Sequence, residues 1–341
     1  VKLEFGYCAP FFAGAGDAHP RTPLLERMDV GHLERAVMEA EELGYDSLWA
    51  ADHLMLGRDS FVMEGWTFLS WACGLTTRIR LGTIHLANLF RAPALTAKMA
   101  ATLDVISGGR LEFFFDAGHR GSVEEAGAYG FPFPDDAARL AAFEEALEIV
   151  KAMWTEERPS FEGRYYRIEE AVCYPKPVRK PHPPVWIGTA GGEEMSGGVT
   201  ANEEVVNVIA RHADGWNNTP ASVEYCRAML GLLEDACRRN GRAFAGVRKS
   251  LETQVLVAET AGEVERLKES IERLNPGRVH YGDWEDAAER YLIGDAETVA
   301  ARLREYADLG IESFMLWFMD YPSLEGMRVF ARRVMPRFRE V

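Results

Sequence analysis

The stretch Pro183-Pro184-Val185-Trp186-Ile187-Gly188-Thr189-Ala190-Gly191-Gly192 sets a short apolar run behind two prolines, then breaks into glycine ahead of a helix-like segment. It reads as a buried strand handing backbone N–H groups to a helix start, which is the outline of a phosphate cradle. Taken alone, the glycines read equally well as a plain loop. The order of elements on either side favours the cradle.

Upstream, residues 3–8 read as a strand. Residues 29–43 read as a helix, because Leu33, Ala36, Val37, Ala40 and Leu43 share one face and Gly44 ends it. A strand over 45–50, a helix over 61–75 and a strand over 79–87 follow. Pro93 opens a helix whose stripe runs through Leu95, Met99, Leu103 and Ile106 before Ser107-Gly108-Gly109 stops it. The strand 111–115 is almost wholly apolar, as expected where both faces are covered, and it runs into Asp116-Ala117-Gly118-His119. Leu140, Phe143, Leu147, Val150 and Trp154 mark the next helix. A Pro-rich insertion over 155–183, carrying a small hairpin, then interrupts the alternation.

Downstream of the strand at 185–187 come a helix around 205–211, a strand over 213–217, a helix over 221–240, a strand over 251–258 and a helix over 263–274. Residues 277–294 read as an irregular insertion. A helix over 295–309, a strand over 311–319 and a closing helix over 324–338 complete the chain. Eight strands alternating with about as many helices in 341 residues predict an α/β fold, a single (β/α)8 TIM barrel spanning 1–341. The competing architecture is an open doubly wound sheet, but no GxGxxG follows a strand and no GxxxxGK occurs.

Composition narrows the partners. A net charge of -15 argues against nucleic acid, whose binding rests on clustered Lys and Arg; the group Arg332, Arg333, Arg337 and Arg339 reads as a solvated helix face. No run approaches the ~20 apolar residues of a membrane span, and the first residues read as a strand rather than a secretion signal. The five cysteines are scattered without a CxxC pair, so they read as reduced, packed thiols and the expected compartment is the cytoplasm.

In a (β/α)8 barrel the chemistry sits at the carboxyl ends of the strands. That rule selects Tyr7 and Cys8, Asp52 and His53, His85, Gly118 and His119, the run from Gly188 to Gly192, and Trp216 and Asn217. Histidine is the side chain best suited to exchanging protons near neutral pH. Each histidine alone reads first as a structural hydrogen-bonding residue, but a shared rim singles out His53 and His119. Three histidines and an aspartate also raise the question of zinc. No HExxH or HxH pair is present, and Asp52 and His53 in extended chain would point to opposite sides, so no metal is expected.

The runs 81–91 and 97–111 resemble the luciferase-like monooxygenase superfamily. So do Trp49-Ala50-Ala51-Asp52-His53, Tyr129-Gly130-Phe131-Pro132-Phe133-Pro134, the run 181–188 and Ala213-Asp214-Gly215-Trp216-Asn217. The resemblance extends over nearly the whole chain and is strongest to the branch that uses the deazaflavin coenzyme F420. It implies a TIM barrel with the cofactor lying across the strand ends. Gly188, Thr189, Ala190, Gly191 and Gly192 would hold its phosphate, and Asp52, His53, Ile84, His85 and Asn217 would complete its site. It also implies a cis peptide at Ile84-His85 in a bulged third strand.

Where the family carries Trp after the glycine turn of strand four, or a Glu proton donor in its sugar-phosphate dehydrogenases, this chain has His119, which disfavours a sugar-phosphate substrate. The stretch Glu193-Glu194-Met195-Ser196-Gly197-Gly198 is longer and more acidic than the family pattern. The function implied is hydride transfer between F420 and a small organic substrate, with His53 as general acid or base and His119 as a second proton-handling group. The alternatives are a monooxygenase using reduced FMN and a separate flavin reductase, a non-catalytic flavin-binding protein and, more distantly, a metal-dependent barrel hydrolase. The family commonly forms homodimers, and one is expected here.

Overall fold

A computed structural model describes residues 2–14, 21–56, 60–118, 120–189, 202–276 and 283–339. Eight parallel strands close on themselves: β1 Glu4–Cys8, β2 Ser47–Ala50, β3 Arg80–Thr83, β4 Leu111–Asp116, β5 Val185–Thr189, β6 Gly215–Asn218, β7 Arg248–Ala258 and β8 Ser313–Phe318. Each pairs with the next in sequence, and β8 returns to pair with β1, Glu4 lying against Ser313. This is the closed barrel that the alternation predicts.

The main helices between them are α1 Val30–Glu42, α2 Gly65–Leu75, α3 Pro93–Ile106, α5 Asp136–Thr155 after the short α4 Val123–Ala128, α6 Glu203–His212, α7 Val223–Arg239, α8 Ala261–Leu274, α9 Trp284–Arg290 and α10 Ala296–Asp308. A last helix, α11 Glu325–Val329, follows β8 and runs on through irregular helical turns to Phe338. Local chemistry sets their starts. Asp29 accepts from the His32 N–H, Pro93 occupies the first turn of α3, and Thr260 and Glu263 cap α8 reciprocally. Among the described helices, none is long and apolar enough to cross a membrane.

Two segments depart from the sequence reading, and the third strand carries the cis peptide that the resemblance implies. Residues 60–62 form a strand, Ser60–Val62, paired antiparallel with Phe12–Gly14, so α2 begins later than its apolar periodicity suggests. The third strand is not continuous: it breaks at a cis peptide between Ile84 and His85, and Leu86–Ala87 resumes pairing beside the end of β4. Of the 277–294 segment, the part described is regular, comprising α9 and the strand Leu292–Asp295, which extends the outer end of β7. The hairpin of the 155–183 insertion is Phe161–Glu162 against Arg167–Ile168.

Inside the barrel, large rings on some strands are accommodated by glycines on their neighbours. Trp49 of β2 meets Trp186 of β5 edge to face at 6.3 Å, both fully buried. Gly6 on β1 and Gly82 on β3 flank the Trp49 ring; a methyl group at residue 82 would lie 2.2 Å from Trp49 Cζ3 and 3.0 Å from the Glu112 carbonyl oxygen. Neither a buried indole nor a barrel strand can yield that far. Gly82→Ala is therefore expected to destabilise the fold by ~3 kcal/mol, the upper end of overpacking costs. Denaturant unfolding checks this, and an unchanged midpoint would show that the ring has room to move.

The amino-terminal end of the barrel is closed by charge. Glu112 of β4 is buried, accepts from Trp186 Nε1 at 2.7 Å and has Arg179, Arg80 and Arg248 within 3.9 Å. Arg80 and Arg248 also share Glu4. At this end of a TIM barrel such a network serves stability, which leaves the opposite mouth for chemistry.

Candidate active site

Beyond β2, Asp52 and His53 diverge as the extended backbone dictates. Asp52 is buried and bound on both oxygens by Arg91, at 2.8 and 2.9 Å, and it accepts from the Ala87 N–H. Burial raises its carboxyl above the usual value against the pull of Arg91. Its work is structural: it ties the end of β2 to the chain beyond the β3 break.

His53 faces the other way. Its Nδ1 lies 2.9 Å from Oε1 of Glu125 on α4, while Glu125 Oε2 accepts from the Leu54 and Met55 N–H groups. Burial would raise the Glu125 carboxyl, but the bonds from His53, Leu54 and Ser122 outweigh it and hold it below the ordinary range. An ionised carboxylate only accepts, so Nδ1 carries the hydrogen and donates to it. In the neutral imidazole, Nε2 is then the basic nitrogen, and a buried carboxylate steadies the ring when that nitrogen takes up a proton.

His85 lies deeper. Its Nδ1 is 3.2 Å from Asp116 Oδ2 at the end of β4, and its Nε2 is 3.3 Å from Glu252 Oε2 on β7. The second contact has ion-pair distance without hydrogen-bond alignment, so both atoms stay without a hydrogen-bond partner among the described residues. Glu252 Oε1 is held by Arg21 and by Trp317 Nε1 of β8, each at 2.7 Å. Burial alone would lower the His85 imidazole, but Asp116 and Glu252 raise it to about 9. Burial alone would raise Glu252, but Arg21, His85 and Trp317 bring it to about 2.

The signs of these shifts set a pH window. His85 contributes stability that is fully present below about pH 6.5 and is lost as pH rises through about 9. Glu252 contributes above about pH 4.5 and loses its contribution as pH falls through about 2. Thermal unfolding across pH should therefore show an alkaline decline that His85→Gln reduces; an identical decline in that variant would assign it to other groups.

The remaining expected residues fall into three groups. Gly188, next to last in β5, stands beside His85: a Cβ there would lie 3.0 Å from the Phe114 ring and 3.6 Å from His85 Nε2. Thr189 and Asn217 are buried. Thr189 Oγ1 accepts from Trp216 Nε1 and donates to Asn218, while Asn217 Nδ2 donates to Ser250 and leaves its Oδ1 without a partner among the described residues. His119, Ala190, Gly191 and Gly192 lie outside the described residues. Also among the described residues, no group of three His, Cys, Asp or Glu side chains is placed to hold a metal ion.

The luciferase-like monooxygenase family matches residues 3–313, nearly the whole barrel. The chain belongs to that family. It is an enzyme of the same superfamily, and the strand-end mouth is its candidate active site. An F420-dependent glucose-6-phosphate dehydrogenase of Kineococcus radiotolerans is 27% identical over 92% of this chain and 95% of its own length. An F420-dependent secondary alcohol dehydrogenase, solved with an F420–acetone adduct, superposes with a TM-score of 0.77 at 19% identity over all of both chains. The monooxygenase RslO1 of Streptomyces bottropensis gives 0.76 at 23% identity over 98% of this chain and 100% of its own. At these identities the two structures speak for the fold.

Sequence reasoning did not reach Glu125, Glu252 or Arg21. Glu125 sits in an acidic pair within an irregular stretch, and only its approach to His53 gives it meaning. Glu252 did leave a signal: it is a charged residue amid Leu251, Val255 and Leu256 on a strand that has to be covered on both faces.

Proposed function

We propose that the protein transfers a hydride between coenzyme F420 and a small organic substrate, such as an alcohol or the matching carbonyl compound, in the barrel mouth. The observation that carries the mechanistic part is the His53–Glu125 pair at the rim. The cofactor assignment rests on the F420-dependent relatives, one aligned over almost its full length. The mouth's residues suit the group: the buried Asn217 Oδ1 has no hydrogen-bond partner among the described residues, the His85–Glu252 ion pair lines the same end of the barrel, and Gly188 keeps a side chain away from His85. Gly188, Thr189 and the glycines that follow would take the phosphate, and His85 and Asn217 would lie on the ring's side of the site.

When bound, the coenzyme supplies hydride acceptor and donor chemistry. The chain supplies the rest. His53 Nε2 accepts the hydroxyl proton of an alcohol, or returns it to a carbonyl oxygen, and Glu125 fixes the ring and offsets the charge it acquires. His119, next in sequence to Gly118, is proposed as a second proton-handling group. A homodimer in the cytoplasm is the proposed state.

Binding titrations of the purified protein with F420 and with FMN, followed by turnover with secondary alcohols and with glucose 6-phosphate, test the reading. Tight F420 binding with alcohol-dependent bleaching of its absorbance supports it. Preference for reduced FMN with oxygen consumption would transfer the protein to the monooxygenase chemistry.

A further inference from the structure

We infer that His85 is the group that makes the mouth favour the reduced cofactor over the oxidised one. The inference rests on the F420 reading above and adds to it a residue with an electrostatic task.

In a closed ring of eight strands β3 and β7 stand opposite each other, and His85, just beyond β3, reaches Glu252 on β7 as well as Asp116 at the end of β4. Its imidazole therefore bridges the mouth, packed on the Phe114 ring at 4.4 Å between centroids. At Gly188 no side chain intervenes between β5 and the Phe114 and His85 rings, and Trp317 and Arg21 hold the far oxygen of Glu252. With a carboxylate beside each ring nitrogen, both nitrogens have reason to carry hydrogen, which makes the ring a fixed cation.

That charge matters because of how the reaction redistributes charge. A hydride leaving the substrate carbon takes two electrons with one hydrogen nucleus, while the hydroxyl proton goes to His53. The ring that receives the hydride therefore gains one unit of negative charge before any proton from solvent reaches it. On the floor, the cations His85 and Arg21 balance the carboxylates Glu252 and Asp116. Without the charge of His85 the balance turns negative, and a ring made more negative by reduction is penalised most. A preorganised charge in a site shielded from water acts more strongly than the same charge in bulk solvent.

The test is the pair of dissociation constants for oxidised and reduced F420, measured anaerobically on the wild type, His85→Gln and Asp116→Asn. His85→Gln should reduce the preference for the reduced form tenfold or more, equivalent to ~30 mV toward negative potential for a two-electron couple. Asp116→Asn removes a negative charge while its amide oxygen can still accept from Nδ1 and Glu252 still faces Nε2, so the ring stays charged and the preference should move several-fold in the opposite direction. A purely structural role would weaken both redox forms alike in His85→Gln and leave their ratio unchanged, which overturns the inference while leaving the F420 reading intact. If His85→Gln does not fold, Asp116→Asn decides: a ratio equal to wild type overturns the inference. A wild-type protein that binds neither form refutes the F420 reading and this inference with it.

Discussion

Replacing His53 with Ala is expected to lower kcat by ~10²- to 10⁴-fold, the usual worth of a positioned general acid or base, while the dissociation constant of the cofactor changes by no more than a few-fold. The separation follows from where the residue sits. His53 is at the rim, tied to Glu125 on α4, whereas the proposed cofactor contacts are on β5, β6 and the His85 floor. Glu125→Gln keeps the shape of the carboxylate but removes its charge, so it should produce a smaller loss. Stopped-flow turnover with both variants separates these outcomes. Wild-type activity in His53→Ala would remove the residue from the chemistry, and wild-type turnover in Glu125→Gln would reduce Glu125 to a loop anchor.

The barrel was legible because its signals are local and repeat. Apolar runs of strand length alternate with helical stripes such as Leu33, Ala36, Val37 and Ala40, and a strand-to-helix alternation of this length has few closed solutions. The rim position of His53 followed from the same alternation. Its partner did not, because the bond from residue 53 to residue 125 spans two βα units and depends on the packing of a six-residue helix that no periodicity announces. The floor was hidden for a related reason. Asp116, Glu252 and Arg21 become one assembly only when β4, β7 and the chain after β1 are brought to one mouth. Where the reading did fail, as at residues 60–62, tertiary pairing with Phe12–Gly14 overrode a helical pattern that was real but too short to hold by itself.

The other end of the barrel carries the largest expected effect on stability. Glu112→Ala should destabilise the fold by ~3–5 kcal/mol, the cost of breaking a buried ion pair by removing one partner. Glu112 is 1% exposed, its carboxylate accepts from Trp186 Nε1 at 2.7 Å and is approached by Arg179, Arg80 and Arg248 from three different segments. Alanine would strand a buried indole N–H, open a cavity beneath the Trp49–Trp186 pair and leave Arg80 with Glu4, Arg248 with Glu4 and Glu312, and Arg179 with the Leu111 carbonyl. Glu112→Gln discriminates between these causes. An amide oxygen can still accept from Trp186, so if the hydrogen bond and packing dominate, Gln should recover most of the loss. If charge dominates, Gln should remain close to Ala, and raising the salt concentration should narrow the gap between wild type and both variants little, since a buried network is poorly screened. Either way F420 affinity should persist in whatever fraction stays folded, because the Trp49–Trp186 layer separates this network from the His85 floor. A selective loss of cofactor binding in a stably folded Glu112→Ala protein would mean that the two ends of the barrel are coupled through that layer.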